Sequence, residues 1–307
     1  MRVREFTEGT DVSQALLVRE VDRHPEQLKL VLGDRSGTVP AVVAPGAGEP
    51  CRPGEVVFVT GTFTGAHLKV HKLRRARHGE YAHTDLHDGP TRDLEQMERD
   101  LRELLGTIQN PHLRGLLSVV FTESWSGYLE APAGKRYHHA YRHGLLEHSL
   151  TVAQSVSAIS AMFPGIDRDV AVAGALLHDI GKLDAYELRA GAIAMSDDGR
   201  LQGEIVLGYY RVRRTIERLD EFPSELAQAV LHIILSHHGA LEHGSPVVPC
   251  TREATLVHMI DNLGGRLGSF DRLEKQLRAG EQWSAWDKAL GGGAYFAPRS
   301  EAERQAA

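Results

Sequence analysis

Residues 176–182 read LLHDIGK. They close an apolar run, DVAVAGALL over 169–177, whose length and composition predict a helix bound for a protein core. The run ends on His178 and Asp179, two side chains that hold metals well and that cost several kcal/mol to bury without partners. The same conflict recurs in three other helical segments. HGLLEHSL (143–150) sets His148 among leucines, ILSHHG (234–239) sets His237 and His238 after an apolar run, and LVHMIDNLG (256–264) sets Asp261 on an otherwise greasy face.

Any one of these residues is accounted for by a local hydrogen bond or a helix cap. On four helices at once, convergence on a shared divalent cation is the economical answer. Imidazole and carboxylate together suit manganese, iron, zinc, nickel or cobalt better than calcium or magnesium. The adjacent His178 and Asp179 can serve one ion, or two if the carboxylate bridges. Histidine is also the unusual count in this chain, with 10 of 17 between His138 and His258.

The region around these helices divides in two. Over roughly residues 15–76 the sequence is rich in short β-type runs: ALLVREVDR (15–23), QLKLVLGDRSG (27–37), TVPAVVA (38–44), EVVFVTGTFTG (55–65) and AHLKVHKLRRA (66–76). Turn signals separate them. Five short strands predict a small barrel, an OB-fold first and an SH3-like barrel second. Residues 77–92 lack periodicity and read as a linker. From Asp93 the period becomes helical, with Leu94, Met97, Leu101, Leu104 and Leu105 on one face. The expected architecture is therefore multidomain α and β: a barrel over 1–76, a linker over 77–92, an all-α domain over 93–279 and a tail over 280–307.

Composition bounds the setting. With 307 residues, 42% hydrophobic and 25% charged, the chain has length for a sizeable core. No apolar run approaches the roughly 20 residues that span a bilayer, and the N-terminal MRVREFTEG lacks a signal-peptide core. Only Cys51 and Cys250 are present, which excludes a disulfide framework and predicts a reducing cytoplasm. Residues 1–78 hold 12 Lys/Arg against 9 Asp/Glu, whereas the remainder holds 23 against 32. A mildly basic barrel on an acidic body suits an anionic partner for the first part.

Two stretches have the character of single-strand binding, in which cations mix with aromatics. GKRYHHAYRH (134–143) places Lys135, Arg136, Tyr137, His138, His139, Tyr141 and Arg142 directly before the His148 helix. GYYRVRRTIERL (208–219) adds Arg211, Arg213 and Arg214. In the barrel, Lys69, Lys72, Arg74, Arg75 and Arg77 form a basic run, equally readable as a solvated edge, and Phe58 and Phe63 are its main aromatics.

The ordered set His148, His178-Asp179, Asp261 resembles the HD-domain phosphohydrolases. The longer strings 131–150, 176–183, 235–239 and 245–263 resemble the YhaM-type 3′–5′ exoribonucleases, over about residues 12 to 275. That resemblance implies an N-terminal OB-fold joined to an all-helical HD domain. It implies a metal-dependent 3′–5′ exonuclease acting on single-stranded RNA or DNA, one or two divalent ions with manganese first, and a homo-oligomer. Ligands carried over are His148, His178, Asp179, His237, His238 and Asp261, with Asp179 and Lys182 as catalytic groups. Lys182, at i+4 from His178, is placed to steady phosphoryl oxygens. The pattern departs at Glu204, which stands in QGEIVLG (202–208) where the family carries histidine; a glutamate there can still ligate. It departs again at His143, where glycine is common, and at Gly264, where many relatives have aspartate. The alternatives are an HD enzyme acting on a free nucleotide or cyclic dinucleotide, and a non-catalytic strand-binding protein.

Overall fold

The computed structural model describes residues 1–24, 27–86, 89–90, 92–134, 139–189, 192–277 and 280–298. The chain separates into two compact units, one of residues 1–88 with 189–192 and 269–307, the other of 89–188 with 193–268.

In the first unit, β1 (Asp11–His24), β2 (Gln27–Asp34), β3 (Gly37–Val43), β4 (Val56–Phe63) and β5 (Leu68–Arg75) close in the order β1-β2-β3-β5-β4. All neighbours are antiparallel except β3 and β5. This pairing is of OB type, and it decides between the two barrels that strand count alone left open. Closure depends on β1. Its first half pairs with β4 and its second half with β2, and a register shift between Val18 and Glu20 bends it between the two partners. Alternate side chains fill the interior, among them Leu16, Val18, Leu30, Leu32, Val57, Val59, Leu68 and Val70.

Residues 77–92, aperiodic in sequence, are not a bare connection. A single turn, α1 (His83–Leu86), seats Leu86 against Ala15 and Leu17 on the outside of the barrel, with Phe58 and Ala76 beside them. One apolar side chain on a four-residue helix has no period to detect. After residue 280, Trp283 bridges to Tyr295 and Asp287 to Gly292, while Arg272 pairs with Asp287 at 2.6 Å. Residues 299–307 lie outside the described set.

The second unit holds α2 (Leu94–Gly106), α3 (Pro111–Glu130), α4 (Gly144–Ser160), α5 (Arg168–Leu177), α6 (Lys182–Ala185), α7 (Asp197–Gln202), α8 (Glu204–Ile216), α9 (Ser224–Ser236) and the start of α10 (Arg252–Gln276). The starts follow capping chemistry. Asp93, Asn110 (with Pro111 next), Asp167 and Ser196 each accept a backbone N–H two or three residues on. α4 packs on α5, α5 on α9 and α8 on α9, which buries Leu145, Leu150, Val172, Leu176, Val230 and Ile233 completely. A two-stranded ribbon, β6 (Tyr186–Arg189) with β7 (Ala192–Met195), interrupts a region expected to be wholly helical. Tyr186 and Leu188 alternate there with polar residues, a period of two too short to stand out in sequence.

The turn carrying LLHDIGK owes its position to a close approach. A Cβ on Gly181 would stand 2.0 Å from the Glu204 carbonyl oxygen and 2.4 Å from the Gly208 nitrogen. Only a residue without a side chain lets α8 lie this near. Gly181→Ala is expected to cost about 2–3 kcal/mol, since overpacked cores lose this much. The check is thermal unfolding, where the loss corresponds to roughly 5–10 °C in Tm. An unchanged Tm contradicts the packing.

Candidate metal centre

α4 supplies His148 from its second turn. His178 caps the C-terminus of α5 and Asp179 follows it; His237 caps α9 and His238 follows; Asp261 comes from α10. His148, His178, Asp179 and His237 are each at most 3% exposed. The metal-binding atoms of His148, His178 and Asp261 all lie within 4.8 Å of one another. His148 Nε2 stands 3.1 Å from His178 Nε2, 3.2 Å from Asp179 Oδ2 and 3.2 Å from Asp261 Oδ1. His237 Nε2 stands 3.5 Å from Asp179 Oδ1.

Backbone bonds orient two of these rings. His178 Nδ1–H donates to the Ala175 carbonyl at 2.7 Å, and His237 Nδ1–H to that of Ile234 at 2.8 Å. Both bonds reach back three residues to the end of the helix just finished. Each turns Nε2 inward as the ligating nitrogen, the outer-shell arrangement typical of metal-binding histidines.

The electrostatics demand positive charge. Burial opposes charge on His148, but hydrogen bonds to Asp179 and Asp261 overcome it and hold its pKa up at about 9. Burial also opposes ionisation of Asp179 and Asp261. Lys182 and His178 nevertheless keep Asp179 well below the usual carboxylate range, and His148 does the same for Asp261. Asp179 Oδ1 and His237 Nε2 are buried with no hydrogen-bond partner. Two orphaned acceptors facing each other, among imidazoles and acids, fit a divalent cation of the manganese-to-zinc group.

The chain leaves the α-helix after Leu177, so Lys182 is not on a continuous turn from His178. It opens α6 and places Nζ 2.7 Å from Asp179 Oδ2. Glu204, first residue of α8, lies 3.7 Å from His238 Nε2 and accepts the Tyr186 hydroxyl at 3.2 Å. His238 and Glu204 form a second, more open group flanking the first, with the His237 and His238 ring centres 4.4 Å apart.

The substrate candidates divide. Lys135, Arg136, Tyr137 and His138 lie outside the described residues. His139 is at the centre's edge, its ring 5.6 Å from that of His148. Tyr141 donates to Glu147 at 2.5 Å, and Arg142 pairs on the surface with Glu130 at 2.7 Å. Arg211 is committed elsewhere: it forks onto both Asp184 oxygens and reaches Ser124, on the wall of a cavity of about 460 Å³ that Tyr186 also lines. In the barrel, Arg74 stacks over Phe58 at 4.4 Å and forks onto Glu80, Arg75 pairs with Glu55, and Phe63 packs on the core. Lys69, Lys72 and Arg77 remain exposed. Glu147 and Tyr186 escaped the sequence reading. The signal for Glu147 was an acid beside His148 on the same apolar stretch, GLLEH.

Comparison with known proteins agrees with this geometry. The HD domain family model matches residues 145–265, which contain every residue of the centre. The 3′-5′ exoribonuclease YhaM of Geobacillus sp. (strain WCH70) is 28% identical over 289 residues, covering 89% of this chain and 88% of that protein. Among solved structures, the p204 HINb domain is 20% identical, covers 23% of this chain and 40% of its own, and has a TM-score of 0.19. Asparaginyl-tRNA synthetase from Pyrococcus horikoshii is 16% identical, covers 75% and 61%, and has a TM-score of 0.22. Scores this low carry no argument about the fold. The HD domain family model thus lies on the helices that bear the centre, and the similarity to YhaM runs over most of both chains.

Proposed function

We propose that this chain is a metal-dependent 3′–5′ exonuclease that shortens single-stranded RNA, and DNA with it, releasing nucleoside monophosphates. The observation that carries the reading is the buried meeting of His148, His178, Asp179 and Asp261. The name of the YhaM relative supports the direction and substrate.

His148, His178, Asp179, His237 and Asp261 would hold the cation, manganese first, and His238 with Glu204 would hold a second. Such an ion supplies Lewis-acid charge and acidifies water near neutral pH. The reaction adds water across the terminal phosphodiester: the P–O3′ bond breaks, the monophosphate leaves, and the shortened strand regains a 3′-hydroxyl. Lys182 has three donors and spends one on Asp179, so the others can steady a phosphoryl oxygen. His139, Tyr141 and Arg142 border the substrate side, with Lys135, Arg136, Tyr137 and His138 preceding them; Arg211, paired with Asp184, acts on the strand through the wall it shares with Tyr186. Residues 1–76 would hold the strand through Lys69 and Lys72, with Arg77 directly after them, rather than by base stacking, since Phe58 and Phe63 are covered. On this reading 77–92 connects the barrel to an HD region over 93–279, with 280–307 as its tail. No helix among the described residues is long and apolar enough to cross a membrane, and Cys51 and Cys250 are unpaired. A cytoplasmic homo-oligomer belongs to the same reading.

The test is a 5′-labelled single-stranded RNA incubated with the full chain and Mn²⁺. A descending ladder is expected. An intact band with turnover of free nucleotides instead assigns the site to a small substrate, and binding without hydrolysis under any metal removes the enzyme reading.

A further inference from the structure

The cavity of about 460 Å³ is lined from α3, α6, β6 and α8, all within the second unit. Its volume falls in the range of about 300–1,000 Å³ that takes small organic groups. Pro132, Leu183, Tyr186 and Leu188 supply its apolar surface. Tyr186 and Leu188 stand two apart on β6, so they face the same side of the ribbon. Leu188 is 40% exposed, an apolar side chain that lines the cavity and still meets solvent. The Tyr186 ring is held at both ends, by its strand and by its hydroxyl, which donates to Glu204 Oε2 at 3.2 Å. Glu204 in turn stands 3.7 Å from His238 Nε2. One side chain therefore spans the distance from the cavity to the His238–Glu204 group.

The charges around this cavity cancel in pairs. Glu123 meets Arg218 at 2.9 Å, Glu130 meets Arg142 at 2.7 Å, and Arg211 meets Asp184 at 2.7 Å. A phosphate would have to compete with a carboxylate for each of these cations. Arg211 is also fixed in plane: Nε and Nη2 both give to Asp184, and Nη1 gives to Ser124 Oγ at 3.2 Å. A guanidinium whose edges are spent in this way still offers its flat face. Paired charge, a fixed aromatic ring and a flat cation together suit a neutral, planar ligand with apolar faces and polar edges. A nucleobase has that chemistry, and such rings are what single-strand sites use to hold bases.

We propose that this cavity is a base subsite, in which one nucleobase of the strand stacks on the Tyr186 ring between Leu188 and the Arg211 face. Because Tyr186 reaches Glu204, the base belongs to a nucleotide close to the one being cleaved. The subsite supplies the stacking that the barrel, with Phe58 and Phe63 covered, does not. The inference rests on the exonuclease reading and deepens it by naming where a base is held. The base of a free nucleoside monophosphate has the same chemistry, and the experiment separates the two sources.

The test uses single-stranded RNAs of one sequence, each carrying one abasic ribose at a different position near the 3′ end. They are bound to the full chain in EDTA and followed by fluorescence anisotropy. Loss of the base at one position is expected to weaken binding about tenfold, the scale of one base stacked on an aromatic ring. That ratio falls to about one in Tyr186→Ala and in Leu188→Glu. It persists in Tyr186→Phe, which keeps the ring and gives up only the bond to Glu204. A general folding defect weakens every strand alike and leaves the ratio intact. Where Tyr186→Ala fails to fold, Leu188→Glu, at a position already open to solvent, decides. A native protein indifferent to every abasic position, or a ratio that neither variant lowers, overturns the proposal. Adenosine and uridine monophosphates are titrated alongside. Their binding, abolished by Leu188→Glu in a protein without any abasic effect, gives the cavity to free nucleotides and overturns the strand assignment. A parallel series with Mn²⁺ separates this inference from the activity. A ladder without an abasic effect removes only the base subsite, and an abasic effect without a ladder removes only the exonuclease.

Discussion

Asp179→Asn is expected to lower strand cleavage by roughly 10³-fold or more, the scale on which preorganised charge at a reacting centre is felt. Strand binding persists in this variant, because the barrel and the 139–143 turn are untouched. Asp179 is the hub of the centre. Oδ2 meets His148 at 3.2 Å, His178 at 3.4 Å and Lys182 at 2.7 Å, while Oδ1 faces His237 at 3.5 Å. An amide keeps the shape, but it replaces one acceptor with a donor and removes the charge that gathers four cations or potential cations. The variant also leaves Lys182, 9% exposed, without its closest counter-charge. Breaking a buried pair from one side costs about 3–5 kcal/mol. Thermal unfolding in EDTA reads this loss, and metal content by atomic emission reads the weakened site. Asp179→Asn with Lys182→Met is expected to recover much of the stability and none of the cleavage, which separates the two roles. Cleavage retained in Asp179→Asn would end the mechanism.

Affinity for Mn²⁺ is expected to rise about tenfold per pH unit between pH 7 and 9, and then to level off. His148 must lose its proton to ligate, and its pKa stands near 9 against an ordinary 6.5, because Asp179 and Asp261 outweigh the effect of burial. His237, also raised by Asp179, adds to the slope. Isothermal titration in buffers of different ionisation heat, under argon, counts the protons released. A Kd flat over this range contradicts the assignment of His148 as a ligand. The metal-free protein responds in the opposite sense. A histidine with a raised folded pKa stabilises fully below its unfolded value of 6.5, and the contribution, on the order of 3 kcal/mol, is lost as pH climbs through 9. The depressed carboxylates stabilise above their ordinary 3.8 and lose this as pH falls. These are the same ion pairs seen from both sides, so the two contributions are not summed. The gap in Tm between Mn²⁺ and EDTA samples therefore widens from pH 6 to pH 9.

Much of this molecule was legible in its residues for a simple reason: each legible feature is a local contradiction or a local period. A histidine or aspartate inside an apolar helix is visible without coordinates, as are five short strands with turn residues between them. The features that stayed hidden have no period. α1 is one turn with one anchoring leucine, the β6–β7 ribbon is four residues a side, and Glu147 reads as an ordinary helix acid until its burial is seen.

The order of residues by itself determined the barrel-then-helix plan and the chemical kinds available to a site, because burial has a cost that composition reveals. Only the tertiary structure decided who pairs with whom. Lys182 went to Asp179, Arg211 to Asp184 and Ser124, Arg74 to Phe58 and Glu80, and Tyr141 to Glu147. Long polar side chains reach several partners from one backbone position, and which one they meet depends on neighbours that the sequence places tens of residues away.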